Sequence, residues 1–135
     1  MLTKKKKVIL DTNFLLIPGQ FKVDIFSEVE RIIDEPYKLC IMKDSIKELN
    51  KIVTLGNQKD RAAAKLAIAL VGSLSKQKSL KTIGGSSRKD VDGQIVDKSN
   101  KKVYIATQDK ELKKRVKDQG AKVITLKQKK YLVVE

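Results

Sequence analysis

Four carboxylates stand where an apolar run gives way to polar residues or where a helix begins. Asp11 follows Val8-Ile9-Leu10, Glu48 closes Ser45-Ile46-Lys47-Glu48, Asp92 opens Val91-Asp92-Gly93-Gln94-Ile95, and Asp109 stands just past Val103-Tyr104-Ile105-Ala106-Thr107. The chain has no histidine and a single cysteine. Ser-His-Asp and Cys-His catalysis, imidazole acid–base chemistry and His- or Cys-rich zinc sites are thereby excluded. What remains is oxygen chemistry. Two carboxylates ~4 Å apart repel by about 4 kcal/mol at an effective dielectric of ~20. A hard divalent cation, Mg²⁺ or Mn²⁺, relieves that repulsion through the ligand type it prefers. Such an ion also lowers the pKa of water, which supplies the hydroxide that a histidine-free site cannot make. Each carboxylate has an ordinary alternative. Asp11 can turn the chain after a strand. Ser45 and Glu48 have the spacing of a capping box, with Asp44 or Ser45 placed to cap the helix. Asp92 competes with Asp90 and Asp97, either of which can be the cleft residue or an N-cap, and Asp109 can cap the helix that follows it.

These residues act together only if the elements carrying them meet. Short apolar runs at 8–10, 37–42, 80–83, 103–106 and 122–126 read as strands, with 131–134 as a further strand at an edge. Between them, apolar residues recur at helical spacing: Ile25, Phe26, Val29, Ile32 and Ile33, ending before Pro36; Ile46, Leu49, Ile52 and Val53; the Ala- and Leu-rich stretch 58–74; Val91, Ile95 and Val96; and Leu112 and Val116 within 110–117. The Asp11-Thr12-Asn13 segment reads as a polar turn with no element before residue 24. Strands alternating with helices predict parallel pairing, hence an α/β chain, a three-layer α/β/α sandwich around a mainly parallel sheet, as a single domain over 1–135. In open α/β sheets ligands bind outside the carboxyl ends of the strands. Asp11 and Asp109 both follow strands there, with Glu48 and Asp92 on the next helices.

Composition narrows the partner. The 135 residues carry 30 Lys and Arg against 16 Asp and Glu, a net charge of +14, and 26 of the 30 bases are Lys. That excess predicts diffuse attraction to a polyanion more than bidentate reading of bases; a Lys-rich thermophilic surface is the alternative. Hydrophobic residues at 41% give enough to bury a core. No apolar stretch approaches the ~20 residues of a membrane span, and Asp11 interrupts the basic start before a signal-peptide core forms. Cys40 sits in Leu39-Cys40-Ile41-Met42 as a buried thiol, in keeping with a reducing cytoplasm. Lys4 to Lys7, Lys113-Lys114-Arg115, and Lys127 with Lys129-Lys130 are candidate phosphate contacts. Only six aromatics occur, and Phe14, Phe21 and Phe26 lie in apolar contexts, so base-stacking platforms are sparse.

The four motifs together resemble the PIN-domain nucleases. Val8-Ile9-Leu10-Asp11-Thr12-Asn13 looks like the family's opening motif, and Glu48-Leu49 is similar to its second. Asp92-Gly93-Gln94-Ile95 resembles the third with Gly93 in place of a second Asp, and Ile105-Ala106-Thr107-Gln108-Asp109 resembles the fourth with Gln108 in the Asn position. The resemblance spans residues 8 to about 126. It implies a metal-dependent endoribonuclease in which Asp11, Glu48, Asp92 and Asp109 bind Mg²⁺ or Mn²⁺ and carry catalysis. Asn13 and Thr107 would orient those ligands, and Lys4, Lys5, Lys113, Lys114, Arg115, Lys129 and Lys130 would hold RNA. Length, basic character and the ending Val123-Ile124-Thr125-Leu126 look more like archaeal relatives of the small-subunit ribosomal-RNA processing nucleases than VapC toxins, so a ribosomal RNA precursor is the expected substrate. A toxin ribonuclease held by an antitoxin and a non-catalytic RNA-binding ribosome-assembly module are the alternatives. Family members commonly pair, and the 62–74 helix is a candidate surface for a homodimer.

Overall fold

A computed structural model describes residues 5–135. The candidate RNA contact Lys4 lies outside the described residues. Six strands form one sheet: β1 (Lys6–Leu10), β2 (Tyr37–Met42), β3 (Leu80–Ile83), β4 (Val103–Ala106), β5 (Lys122–Lys127) and β6 (Tyr131–Val134), in the order β3-β2-β1-β4-β5-β6. All pairings are parallel except β5 with β6. The chain builds outward from β1 through β2 to β3, then returns to the other side of β1 to lay down β4 and β5. The seam between β1 and β4 is therefore the switch point at which doubly wound sheets open a crevice.

Alternation along β1 assigns the two faces. Val8 and Leu10 point into a core with α1 (Ile17–Phe21), α2 (Ile25–Ile32), α3 (Lys43–Leu55) and α4 (Gln58–Lys76). Ile9 points the other way, with Cys40 and Met42, into a core completed by α5 (Val91–Lys98) and α6 (Lys110–Asp118). The outcome is the expected α/β/α sandwich.

Two local expectations are corrected. The segment after Asp11 is helical: a 3-10 turn, Asn13–Leu16, runs into α1, whose first turn accommodates Pro18. Pro18 and Gly19 look like breakers in the sequence, yet proline fits a first helical turn, where its missing N–H has no partner to lose. Gly19 is needed for packing, since a Cβ there would stand 2.6 Å from the Ala63 Cα of α4. The second correction is the capping box. Helix α3 starts at Lys43, with Met42 flanking it and no side-chain cap, so Asp44 and Ser45 lie inside the first turn. Ser45 is fully buried and Glu48 bonds Thr12, as described below.

Candidate active site at the carboxyl ends of the strands

Asp11 and Asp109 lie on the two sides of the β1/β4 switch point. The Asp11 amide donates to the Ala106 carbonyl (3.0 Å), continuing the β1–β4 ladder for one further bond and fixing the aspartate at the sheet edge. The residue is only 5% exposed. One oxygen accepts the Thr12 amide (2.8 Å) and the other accepts the Thr107 hydroxyl (2.9 Å). Thr107 Oγ1 in turn accepts the Asp109 amide (3.1 Å), so a single threonine holds both aspartates. Asp109 caps α6 by accepting the Leu112 amide (3.0 Å) while also lining the cleft; the capping and cleft readings are both realised.

Glu48 arrives from α3. The Thr12 hydroxyl lies within hydrogen-bond distance of both Glu48 Oε1 and Ser45 Oγ (2.9 Å). With one proton available, it donates to the carboxylate and accepts from the serine. Asp92 arrives from α5. Asp90 caps that helix by accepting the Gly93 amide (2.8 Å), and it too faces the cleft. Asp97 does not line the cleft and pairs with Lys89 at 2.8 Å. Gly93 fits because a Cβ would press to 3.1 Å from an Asp90 carboxylate oxygen.

The loop before α5 is anchored by Gln94, a buried residue whose amide shares its two protons among Asp44 (2.8 Å), the Ser86 carbonyl (2.9 Å) and the Lys89 carbonyl (3.0 Å). Gln108 staples the segment after β4 to β5, bonding the Thr125 hydroxyl (2.7 Å) and the Leu126 amide (2.6 Å). The Asn position of the fourth motif is thus occupied by a structural glutamine.

Asp11, Thr12, Asn13, Glu48, Lys51, Ile52, Asp90, Val91, Asp92 and Asp109 line one cleft of about 390 Å³. The electrostatics follow from that crowding. Burial, reinforced by the charges of Asp92 and Glu48, pushes Asp11 from 3.8 up to about 6 against its two hydrogen bonds. Asp92 is also raised, by burial first and then by Asp109, Asp90 and Glu48, with Arg115 opposing. An all-oxygen, negatively charged cleft fits a hard divalent ion. Among the described residues no three His, Cys, Asp or Glu side chains converge tightly enough to cage an ion unaided.

A model of the PIN-like domain matches residues 8–129. The chain belongs to the PIN-like domain family. Among curated relatives of this PIN chain, Ribonuclease VapC4 of Methanocaldococcus jannaschii is 30% identical over 130 residues, 95% of either protein. Among solved structures, the PIN domain endonuclease Utp24 superposes with a TM-score of 0.72 at 26% identity, covering 96% of this chain and 90% of that one. A domain of a functionally unknown protein from Methanocaldococcus jannaschii shares the fold, with a TM-score of 0.61 at 19% identity over 90% of this chain and 91% of that one. Family and relatives agree with the enzyme class expected from the sequence, a PIN-domain endoribonuclease, and nucleases of this family work with divalent metal ions.

The candidate RNA contacts separate. Lys5 lies just before β1, at the opposite end of the sheet from Asp11, six residues or roughly 20 Å of strand away. Lys113 is held by the Thr125 hydroxyl (2.9 Å) and Glu135 (3.1 Å). Lys114 is exposed and lines a groove of about 570 Å³ with Lys110, Lys117 and Lys127. Arg115 is near enough to Asp92 to oppose its upward shift. Lys129 and Lys130 follow β5 at the cleft end of the sheet. Lys51 and Thr12 were missed in the sequence. Lys51 lies one turn beyond Glu48, a spacing that puts both on one face of α3. Thr12 shows no signal beyond its place between Asp11 and Asn13. Among the described residues no helix is long and apolar enough to cross a membrane.

Proposed function

We propose that this PIN-domain nuclease cuts RNA internally, in the cytoplasm, during maturation of a ribosomal RNA precursor. In this reading Asp11, Glu48, Asp92 and Asp109 hold Mg²⁺ or Mn²⁺ and carry catalysis, and the chain works as one domain. The observation that carries it is the cleft itself: four carboxylates from four separated segments face one space, and the most buried of them is pushed up to about 6. When bound, the ion supplies Lewis-acid activation of water and neutralises charge developing on the phosphate. The chain's own residues do the rest. Thr107 fixes the relative placement of Asp11 and Asp109, Thr12 holds Glu48 forward, and Asn13 at the cleft mouth and Lys51 on its wall meet the approaching phosphodiester. The ribosomal substrate rests on the basic composition and on the ending of the chain, which resembles the processing members of the family.

A second reading, a toxin ribonuclease silenced by a bound antitoxin, is favoured by the likeness to Ribonuclease VapC4. One experiment tests the proposal. Ribosomal RNA precursor and an unrelated single-stranded RNA are incubated with wild type and Asp11→Asn, in Mg²⁺, Mn²⁺ or chelator. Discrete cuts in the precursor that need metal and vanish in Asp11→Asn support processing. Equal cutting by Asp11→Asn overturns the site. Indifferent cutting of both RNAs, with growth arrest on expression, replaces the processing reading with the toxin one.

A further inference from the structure

Phe21 ends α1, and two ammonium groups from other parts of the chain lie over its ring. Lys59, in the first turn of α4, and Lys129, in the turn between β5 and β6, each place Nζ 5.7 Å from the ring centroid. The two cations are thus held within about a Debye length of each other, ~10 Å at 0.1 M salt. Neither pairs with a carboxylate among the described residues. One cation at an aromatic ring is an ordinary contact; a second at the same ring concentrates positive charge that a nearby anion would relieve.

The backbone sets where the two segments turn. Gln128 and Lys129, the central residues of a turn closed by the Lys130 amide on the Lys127 carbonyl (3.0 Å), have φ of +52° and +56°. Lys22, directly after Phe21, has φ of +57°. Glycine takes such positions freely and is the usual choice in tight hairpins. Here Gln128 and Lys129 make the tight turn of the β5–β6 hairpin, and Lys22 ends α1 in the left-handed conformation, so both segments turn sharply next to the residues that form the contact.

Location completes the case. Asn13 lines the cleft, and the continuous 3-10 and α1 segment leads from it to Phe21, eight residues or roughly 12–16 Å away. Lys129 follows the carboxyl end of β5, on the same edge of the sheet as Asp11 and Asp109.

We propose that Lys59 and Lys129, gathered over Phe21, form a site for a backbone phosphate of the RNA strand a few nucleotides from the bond being cut. The site rests on the ribonuclease reading and deepens it by fixing the direction in which the substrate leaves the cleft, along α1. Phe21 is the floor that brings the two cations together, and the left-handed turn is the device that delivers Lys129 to it.

Binding of a fluorescent single-stranded RNA to the full chain is measured in chelator across a salt series, so that no cleavage enters the readout. Lys59→Gln with Lys129→Gln is compared with Lys76→Gln with Lys98→Gln, a control of equal charge change on exposed positions elsewhere. The expected result is a roughly three- to tenfold loss of affinity for the first pair at ~0.1 M salt, and a fall of ~0.7 in the slope of log K against log salt. A third variant, Lys129→Gly, should melt no lower than wild type, because the turn is eased, and yet bind RNA more weakly. Equal affinity and slope for the two pairs overturns the site while leaving the ribonuclease reading intact. Absence of RNA binding by wild type overturns both.

Discussion

At Asp11 the geometry sets a chemical problem that an ion would solve. In a residue only 5% exposed, beside Asp92 and Glu48, the carboxylate ionises reluctantly and is pushed up to about 6. A raised carboxylate favours the protonated fold. The stability it contributes is complete below the ordinary 3.8 and is lost as pH rises through about 6. Metal-free wild type should therefore weaken between those values, and Asp11→Asn, which has no charge to bury, should not. At pH 7.5 in chelator, denaturant melts should show Asp11→Asn more stable by on the order of 2–3 kcal/mol, the difference closing near pH 4. A destabilised Asp11→Asn at pH 7.5 would mean that the Thr12 and Thr107 hydrogen bonds outweigh the charge. Thr12 offers a second test at this scale. Replacing it with Val keeps the shape but removes the hydroxyl that joins Ser45 to Glu48. Thr12→Val should cut the rate at saturating RNA about ten- to a hundredfold, within the range for lost partners of metal-ligand residues. If only KM changed, Thr12 would be a substrate contact and not a positioning residue.

Among the elements, the strands were the most legible in the sequence: the inner parallel strands are short, buried apolar runs, and the edge strands β3 and β6 also sit where short apolar runs predict them. The motifs were legible for a related reason: they lie directly after those strands, so placing Leu10 and Ala106 also places Asp11 and Asp109. What escaped was decided by tertiary contact. Ser45 and Glu48 have cap spacing, but a capping role is local, whereas burial against Thr12 from another segment is not. The cap of α5 is Asp90 and not Asp97, a choice fixed by the fold of the 84–90 loop around Gln94. Helix α1 was hidden by Pro18-Gly19, and the reason for Gly19 is the approach of Ala63. Because α1 leads from the cleft to Phe21 and has no room against α4, Gly19→Ala should force the two helices apart. A loss of about 1–3 kcal/mol, as for overpacked cores, is expected in equilibrium unfolding. Unchanged stability would show that α1 shifts freely, and with it the platform at Phe21. The sheet's outer edge is guarded in a way no periodicity reveals: on β6, Leu132 gives its amide to Glu28 (3.0 Å) and takes the Arg31 guanidinium (3.0 Å), so α2 occupies backbone groups that would otherwise pair with another strand.

Over the whole molecule, charge is sorted. A net +14 draws a polyanion toward the chain, while the crevice at the β1/β4 switch point holds Asp11, Glu48, Asp90, Asp92 and Asp109 with Lys51 the only cation among its lining residues. The field that attracts RNA thus reverses sign where the backbone must enter. RNA should bind metal-free protein through the lysine-rich surface, with affinity falling steeply between ~50 and ~200 mM salt. Added Mg²⁺ has two opposite effects on that complex. As a free counterion it competes with lysines for phosphate and weakens binding. Held in the cleft, it removes the repulsion at the entry point and strengthens binding. The two separate cleanly in Asp11→Asn, where the surface is unchanged and the cleft site is impaired. With a phosphorothioate RNA that resists cutting, millimolar Mg²⁺ should tighten wild-type binding several-fold relative to its effect on Asp11→Asn at matched ionic strength. Equal responses of the two proteins would mean that the cleft does not take the ion, and that the positive charge alone, without the carboxylate centre, governs how this chain meets RNA.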